Sequence, residues 1–151
     1  GLYYEDFIVG NEICHSLSKT IFESDNNFFS LLTMNHHPVH TNMDYALKNQ
    51  HGKILVVGTL VFSLVVCITV PDISGKAIAN LGYEDIKHLN PVFINDTIYV
   101  NIRLTFLFFI FISPLSYYYL NKTVVQKWTT HRILFLKLSH IHHGYIMFLL
   151  M

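Results

Sequence analysis

An uninterrupted run of 17 residues without a charged side chain, from position 54 to position 70, limits the possible folds of this chain. As a helix the run would be about 25 Å long, which is the lower limit for crossing a bilayer and also suits a helix buried in a protein core. Gly58 and Ser63 lie inside the run, and Pro71 with Asp72 ends it at once. These small and polar residues favour a helix buried in a protein core over a membrane span, so we predict a buried core helix over residues 54–70.

Length and charge indicate one domain without a nucleic-acid surface. The 151 residues suffice for a single core. All ten Asp and Glu lie at or before Asp96, which gives a net charge of −5 up to that residue and +5 after it, with no concentrated basic face. Cys14 and Cys67 lie in apolar surroundings without CxxC spacing, which predicts reduced, buried thiols. The opening residues GLYYEDF lack the basic and apolar regions of a secretory signal, so none is predicted.

Short helices are predicted before the uncharged run. Asp25 is a good capping residue, and the apolar residues after it have helical spacing, which predicts a helix over residues 26–33. Pro38 disfavours helical geometry in the residue before it, so residues 35–40 are predicted to form a constrained turn. Residues 44–49 have the pattern of one more helical turn.

The character of the sequence changes after about residue 103. Residues 97–104 alternate polar and apolar side chains with the period of a half-buried strand. Residues 104–151 contain no acidic side chain and include the run LTFLFFIFISPLSYYYL, which permits a membrane span over residues 104–120 broken by Pro114. This aromatic-rich composition is also typical of translated noncoding or frame-shifted sequence. We therefore predict a domain over residues 1–103 followed by an aberrant apolar tail over residues 104–151.

Three histidines lie close together in TMNHHPVH, residues 33–40. Imidazole is a common zinc ligand, but adjacent His36 and His37 would point in different directions and no carboxylate or cysteine has companion spacing, so no metal site is predicted. One well-placed histidine is enough for general acid–base catalysis, because imidazole titrates near neutrality. His40 follows the rigid pair Pro38-Val39 and is the candidate, with a structural or surface histidine as the alternative.

Three carboxylates are assigned structural roles. Glu23 and Asp25 precede Phe28 at positions typical of helix capping. Asp96 lies in a turn before a strand, where an aspartate commonly accepts hydrogen bonds from neighbouring backbone groups.

The histidine segment resembles a known motif. The positions of Asn35, Pro38 and His40, with Ala46 downstream, are similar to D-x-N-P-x-H of the MaoC-like family of acyl-CoA hydratases and dehydratases. Several other stretches agree with that family in order and spacing: YEDF with Gly10, residues 20–25, Gly58 and Ser63, and PVF with Asp96-Thr97. The resemblance covers about residues 1–102. It is strongest to the mesaconyl- and itaconyl-CoA hydratase branch, through TMN-x-x-P-x-H, VPDISG and ANLGYEDIKHLNPVF.

The resemblance implies an α+β hotdog fold, in which an antiparallel sheet wraps a long central helix, truncated or altered here after about residue 103. It implies hydration or dehydration of an enoyl-CoA or 3-hydroxyacyl-CoA thioester, such as mesaconyl-CoA. It also implies a homodimer. No cofactor is expected, since CoA is part of the substrate.

The resemblance also implies site residues by position. His40 matches the motif histidine and is assigned general acid–base catalysis, whereas Asn35 stands where most members have an aspartate and is assigned to positioning water or substrate. Gly58 matches a glycine near the helix start, where a thioester can approach backbone amides, although helix packing alone could also require it. Ser63 matches a serine near the active site, with a hydroxyl bonded to its own helix as the alternative.

Other interpretations of the whole chain stay open. Asn35, the valine at position 57 and the missing sheet strands suit a noncatalytic acyl-CoA-binding or dimerisation module, or an inactive truncated gene product. A small membrane protein with spans at residues 54–70 and 104–120 is the third alternative. The leading interpretation is a hydratase in the cytoplasm, or in the mitochondrion if the source is eukaryotic.

Overall fold

The computed structural model describes residues 1–84, 86–110, 131–138 and 145–150 of the chain. The chain forms two compact units. The first, called here the helical unit, comprises residues 14–69 and 88–100, and the second, called the sheet unit, comprises residues 1–13, 70–87 and 101–151. All four candidate site residues lie in the helical unit.

The helical unit, all of whose residues are described, contains four helices. They are α1 (Glu23–Leu32), α2 (Pro38–Thr41), α3 (Met43–Leu47) and α4 (Gly58–Thr69). Helix α1 begins three residues before its predicted start, because the Asp25 carboxylate accepts a hydrogen bond from the Phe22 amide at 2.9 Å and so satisfies a donor of the first turn. Lys19 donates to the same carboxylate, and the two bonds lower the pKa of Asp25. The predicted capping role of Asp25 is confirmed.

Helix α4 is shorter than predicted. It begins at Gly58, whereas residues 54–57 of the uncharged run are not helical. The Val56 amide donates to the carbonyl of Val92 at 2.9 Å, so this part of the run bonds to a distant segment instead of to a helical turn. The prediction of a helix over residues 54–70 was therefore wrong for its first four residues and for its last, Val70. In the part of the chain that the structure describes, no helix combines the length and apolar character needed to cross a membrane.

Burial explains why the run carries no charge. Ile21, Val56, Val57 and Leu60 form a buried core cluster in the helical unit. Six partly buried side chains pack against this core: Phe29, Val61, Leu64, Val92, Ile94 and Ile98. Burying one large aliphatic side chain stabilises a fold by about 1.5–3 kcal/mol, whereas a charge at such a place would lose its hydration.

Five strands form one sheet among the described residues. They are β1 (Glu12–Thr20), β2 (Ala79–Glu84), β3 (Thr97–Ile110), β4 (His131–Leu138) and β5 (Tyr145–Leu150). Their order in the sheet is β1-β3-β4-β5-β2. The pairs β3 with β4, β4 with β5 and β5 with β2 are antiparallel.

Part of the predicted tail forms strands of this sheet. Strand β3 continues past residue 103 to Ile110, with an irregularity in its pairing with β4 between Leu104 and Phe106, and β4 and β5 follow. Residues 104–110 are therefore strand and not the first part of a membrane helix, while residues 111–120 of that predicted span lie outside the described residues. The domain boundary at residue 103 falls inside β3 and stays a prediction.

Both cysteines are exposed, which corrects the prediction of buried thiols. Cys14 lies on β1 beside buried His15, and successive strand residues point to opposite faces. Cys67 precedes buried Ile68 on α4, where neighbouring residues point in different directions around the helix. Apolar neighbours in the sequence did not indicate burial, because the face of the element decides it.

Candidate functional site

The proline-containing segment is locally fixed, but its second half is helical. Pro38 begins α2, so the prediction of a turn was wrong from that residue onward. Proline suits the first position of a helix, because the amide that it lacks would have no helical partner there. The side chain of His37 caps the helix, since its Nδ1 accepts a hydrogen bond from the Val39 amide at 3.2 Å. His40 therefore lies on a short helix with a capped start.

One hydrogen bond fixes the imidazole of His40. Its Nδ1 lies 2.7 Å from the carbonyl oxygen of Leu55. A carbonyl oxygen only accepts, so Nδ1 carries the hydrogen and donates it. In the neutral ring the lone pair then belongs to Nε2, which makes no hydrogen bond to any described residue. The half-buried side chain thus presents a fixed proton acceptor, and its partner Leu55 lies three residues before α4.

Asn26 connects the His40 helix to the residue that precedes α4. Its side chain is 1% exposed. Its Nδ2 donates to the His40 carbonyl at 2.8 Å, and its Oδ1 accepts from the Val57 amide at 3.0 Å. Sequence reasoning missed this residue, because a polar residue on a short helix gives no local sign that both of its partners are distant. Asn26 is a positioning residue in this arrangement.

We expect Asn26→Ala to lower the free energy of unfolding by about 2–4 kcal/mol, because it leaves one donor and one acceptor without a partner in the interior. Urea denaturation followed by circular dichroism measures the loss. Asn27→Ala on the same helix is the matched control, since no side-chain hydrogen bond of Asn27 is seen among the described residues, and we expect a change within about 0.5 kcal/mol. Equal losses in the two variants would contradict the positioning role.

The start of α4 leaves two amides available. Gly58 and Thr59 are its first residues, and neither amide donates a hydrogen bond to a described residue. The first amides of a helix point outward along its axis and favour negative charge. A Cβ built on Gly58 would lie 3.0 Å from Nε2 of His88, so this histidine, to which no role was assigned from the sequence, also lies at the start of α4. The glycine is the first residue of α4, and its role in thioester binding stays a prediction.

Asn35 and Ser63 both bond within their own segments. The Asn35 amide donates to the Ser30 carbonyl at 3.0 Å, and Asn35 Oδ1 lies 3.5 Å from the His37 amide, which is the outer limit of a hydrogen bond. The Ser63 hydroxyl donates to the Thr59 carbonyl one turn earlier at 2.8 Å. This bond is the structural alternative considered for Ser63. The substrate-binding role of Ser63 and the water-positioning role of Asn35 stay predictions.

Asp96 has a structural role, and the predicted capping role of Glu23 stays a prediction. Asp96 accepts a hydrogen bond from the Phe93 amide at 2.8 Å, which confirms its predicted role in a turn. Within the described residues, no three His, Cys, Asp or Glu side chains are grouped so that they could hold a metal ion. The chemistry available at the start of α4 is therefore a fixed imidazole acceptor, two outward amides and an exposed second imidazole.

Sequence comparison shows the family of the chain. Residues 6–105 match the MaoC like domain family. Over 98 residues, 65% of its length, the chain is 33% identical to a mesaconyl-CoA hydratase from Cereibacter sphaeroides and 34% identical to a beta-methylmalyl-CoA dehydratase from Chloroflexus aurantiacus. The chain spans only 29% and 28% of these two relatives. It is 30% identical over 103 residues to an (R)-specific enoyl-CoA hydratase from Rhodospirillum rubrum, covering 68% of this chain and 69% of that protein.

Solved structures agree on the fold. A monoamine oxidase regulatory protein from Archaeoglobus fulgidus superposes with a TM-score of 0.69 and 25% identity, over 99% of this chain and 94% of that one. A Mycobacterium tuberculosis protein described as a double hotdog fold superposes with a TM-score of 0.79 and 14% identity, over 99% of this chain and 44% of that one. The predicted α+β hotdog fold is confirmed.

Proposed function

The chain belongs to the MaoC-like domain family, and on that premise we propose that it catalyses the addition of water to an enoyl-CoA thioester and the reverse dehydration. The observation that carries this proposal is the 2.7 Å hydrogen bond between His40 Nδ1 and the Leu55 carbonyl. This bond leaves Nε2 of His40 as the proton acceptor, and His40 matches the histidine of the family motif. His40 and the amides at the start of α4 belong to the same unit.

The proposed reaction uses the groups at the start of α4. Nε2 of His40 takes a proton from water while the water oxygen adds to the β-carbon of the double bond. The electron pair of the double bond moves onto the thioester, whose oxygen accepts hydrogen bonds from the Gly58 and Thr59 amides. The imidazolium then returns its proton to the α-carbon, so the elements of water are added without net proton release. Asn35 orients the water through its side-chain amide.

The proposed substrate is a short, branched dicarboxylic enoyl-CoA such as mesaconyl-CoA. Support comes from the 33% identity to a mesaconyl-CoA hydratase, and from the 34% identity to a beta-methylmalyl-CoA dehydratase. A homodimer is proposed with it, and large apolar side chains exposed in the single chain, among them Phe28, Leu31 and Leu32 on α1, support such an interface. The cytoplasmic location and the absence of a cofactor stay predictions.

The activity is tested on the full chain with mesaconyl-CoA. Hydration removes the double bond conjugated to the thioester, so ultraviolet absorbance of the enoyl group falls, and mass spectrometry identifies the product by the gain of one water. Saturable binding without turnover would instead favour the noncatalytic acyl-CoA-binding module. If the chain neither binds nor turns over mesaconyl-CoA and crotonyl-CoA, both functions are overturned.

Asn35→Asp is expected to retain or raise the turnover number. A carboxylate accepts hydrogen bonds at both oxygens and can also accept a proton. It can therefore accept a hydrogen bond from the water, as the amide oxygen of Asn35 does in the proposed reaction. Steady-state kinetics with mesaconyl-CoA compare the variant with the parent chain, and Asn35→Leu, which has a similar volume and no polar group, is the control expected to lose activity. Full activity of Asn35→Leu would remove Asn35 from the site.

A further inference from the structure

His88 lies against the first residue of α4, although the proposed mechanism gives it no role. A Cβ built on Gly58 would be 3.0 Å from His88 Nε2 and 3.2 Å from His88 Cε1. The ring therefore covers the face of Gly58 on which a side chain is missing. Both residues belong to the helical unit, so this contact lies within one compact unit.

The ring of His88 is available to a ligand. The residue is exposed, and it makes no hydrogen bond or ion pair with any described residue. An exposed imidazole can therefore rotate away from Gly58 without losing a bond to the protein. Neutral imidazole donates one hydrogen bond and the protonated ring donates two, so His88 offers a donor beside the available amides of Gly58 and Thr59.

The chemistry of the proposed substrate places an acceptor near this donor. In mesaconyl-CoA a free carboxylate is separated from the thioester carbonyl only by the reacting double bond. When the thioester oxygen is bound by the first amides of α4, the carboxylate must lie within a few bond lengths of Gly58. A donor beside Gly58 could therefore form a charge-assisted hydrogen bond with this carboxylate.

We propose that His88 binds the second carboxylate of a dicarboxylic enoyl-CoA and thereby selects it over neutral enoyl-CoA thioesters. This inference rests on the proposed function and adds a specificity-determining residue to it. The imidazole moves off the face of Gly58 as the thioester enters and donates a charge-assisted hydrogen bond to the carboxylate. His40 keeps its bond to Leu55 and handles the protons.

The test compares two substrates that share the thioester and the double bond. Mesaconyl-CoA has the second carboxylate and a methyl branch on the double bond, whereas crotonyl-CoA has a methyl group in place of the carboxylate and no branch. We expect His88→Phe, which keeps an aromatic ring and removes the donor, to lower kcat/KM for mesaconyl-CoA about 10- to 100-fold and for crotonyl-CoA less than about 3-fold. His88→Gln keeps a donor and is expected to recover part of the loss.

Calorimetric binding of both thioesters to the same proteins separates this inference from the proposed function. If the parent chain turns over neither thioester but His88→Phe weakens binding of mesaconyl-CoA alone, the proposed hydratase fails and the carboxylate role of His88 stands. Equal losses for the two thioesters, or no loss for mesaconyl-CoA, would overturn the role of His88. If the parent chain binds neither thioester, the role of His88 is overturned as well.

Discussion

His40→Asn is expected to lower kcat for enoyl-CoA hydration about 100- to 10,000-fold, because general acid–base groups contribute on that scale. An asparagine NH2 group can replace Nδ1–H as donor to the Leu55 carbonyl, but it supplies no equivalent of the Nε2 lone pair. The variant thus removes the proton acceptor and keeps the structural bond. Its thermal midpoint should therefore remain close to that of the parent chain.

His40→Ala is the companion variant that separates structure from chemistry. It removes both the proton acceptor and the hydrogen bond to Leu55, so we expect the same loss of kcat together with a loss of about 1–2 kcal/mol in stability. Rapid-quench or continuous assays measure turnover, and urea denaturation measures stability. Undiminished turnover in His40→Asn would remove this residue from the proposed chemistry, whatever the stability of either variant.

Gly58→Ala is expected to lower kcat/KM about 100-fold or more while leaving the fold intact. The added methyl group would lie on the face by which the thioester reaches the first amides of α4, and loss of one such donor commonly costs 100- to 1,000-fold. Alanine favours helices more than glycine does, and the crowded neighbour is the exposed ring of His88, which can move. The free energy of unfolding should therefore stay the same or rise slightly.

The double variant Gly58→Ala with His88→Ala identifies the cause of that loss. Removing the ring relieves the 3.0 Å contact, so activity on crotonyl-CoA would return if crowding of His88 were the cause. We expect no return, because the methyl group itself blocks the approach to the amides. If the single Gly58→Ala variant is unfolded, the glycine is required for helix packing. If the variant is fully active, the glycine has no role in the site.

The structural roles that were predicted correctly depend on residues near each other in the chain. Asp25 bonds the amide three residues before it, and Asp96 does the same with Phe93. An aspartate at a helix start or in a turn commonly accepts a hydrogen bond from a nearby backbone amide, so the local sequence indicated both roles. The start of α4 at Gly58 agrees with the family position, although periodicity alone placed the helix start four residues too early.

The sequence by itself determined which groups are present. They are Pro38 and His40 in the family motif, and Gly58 in the uncharged run. Tertiary structure alone decided how these groups act. His40 is fixed by a carbonyl 15 residues away, Asn26 bonds an amide 31 residues away, and His88 lies against Gly58. Such partners meet only after the backbone has paired and the apolar run has been buried, and that depends on the free energy of the whole fold rather than on any local pattern.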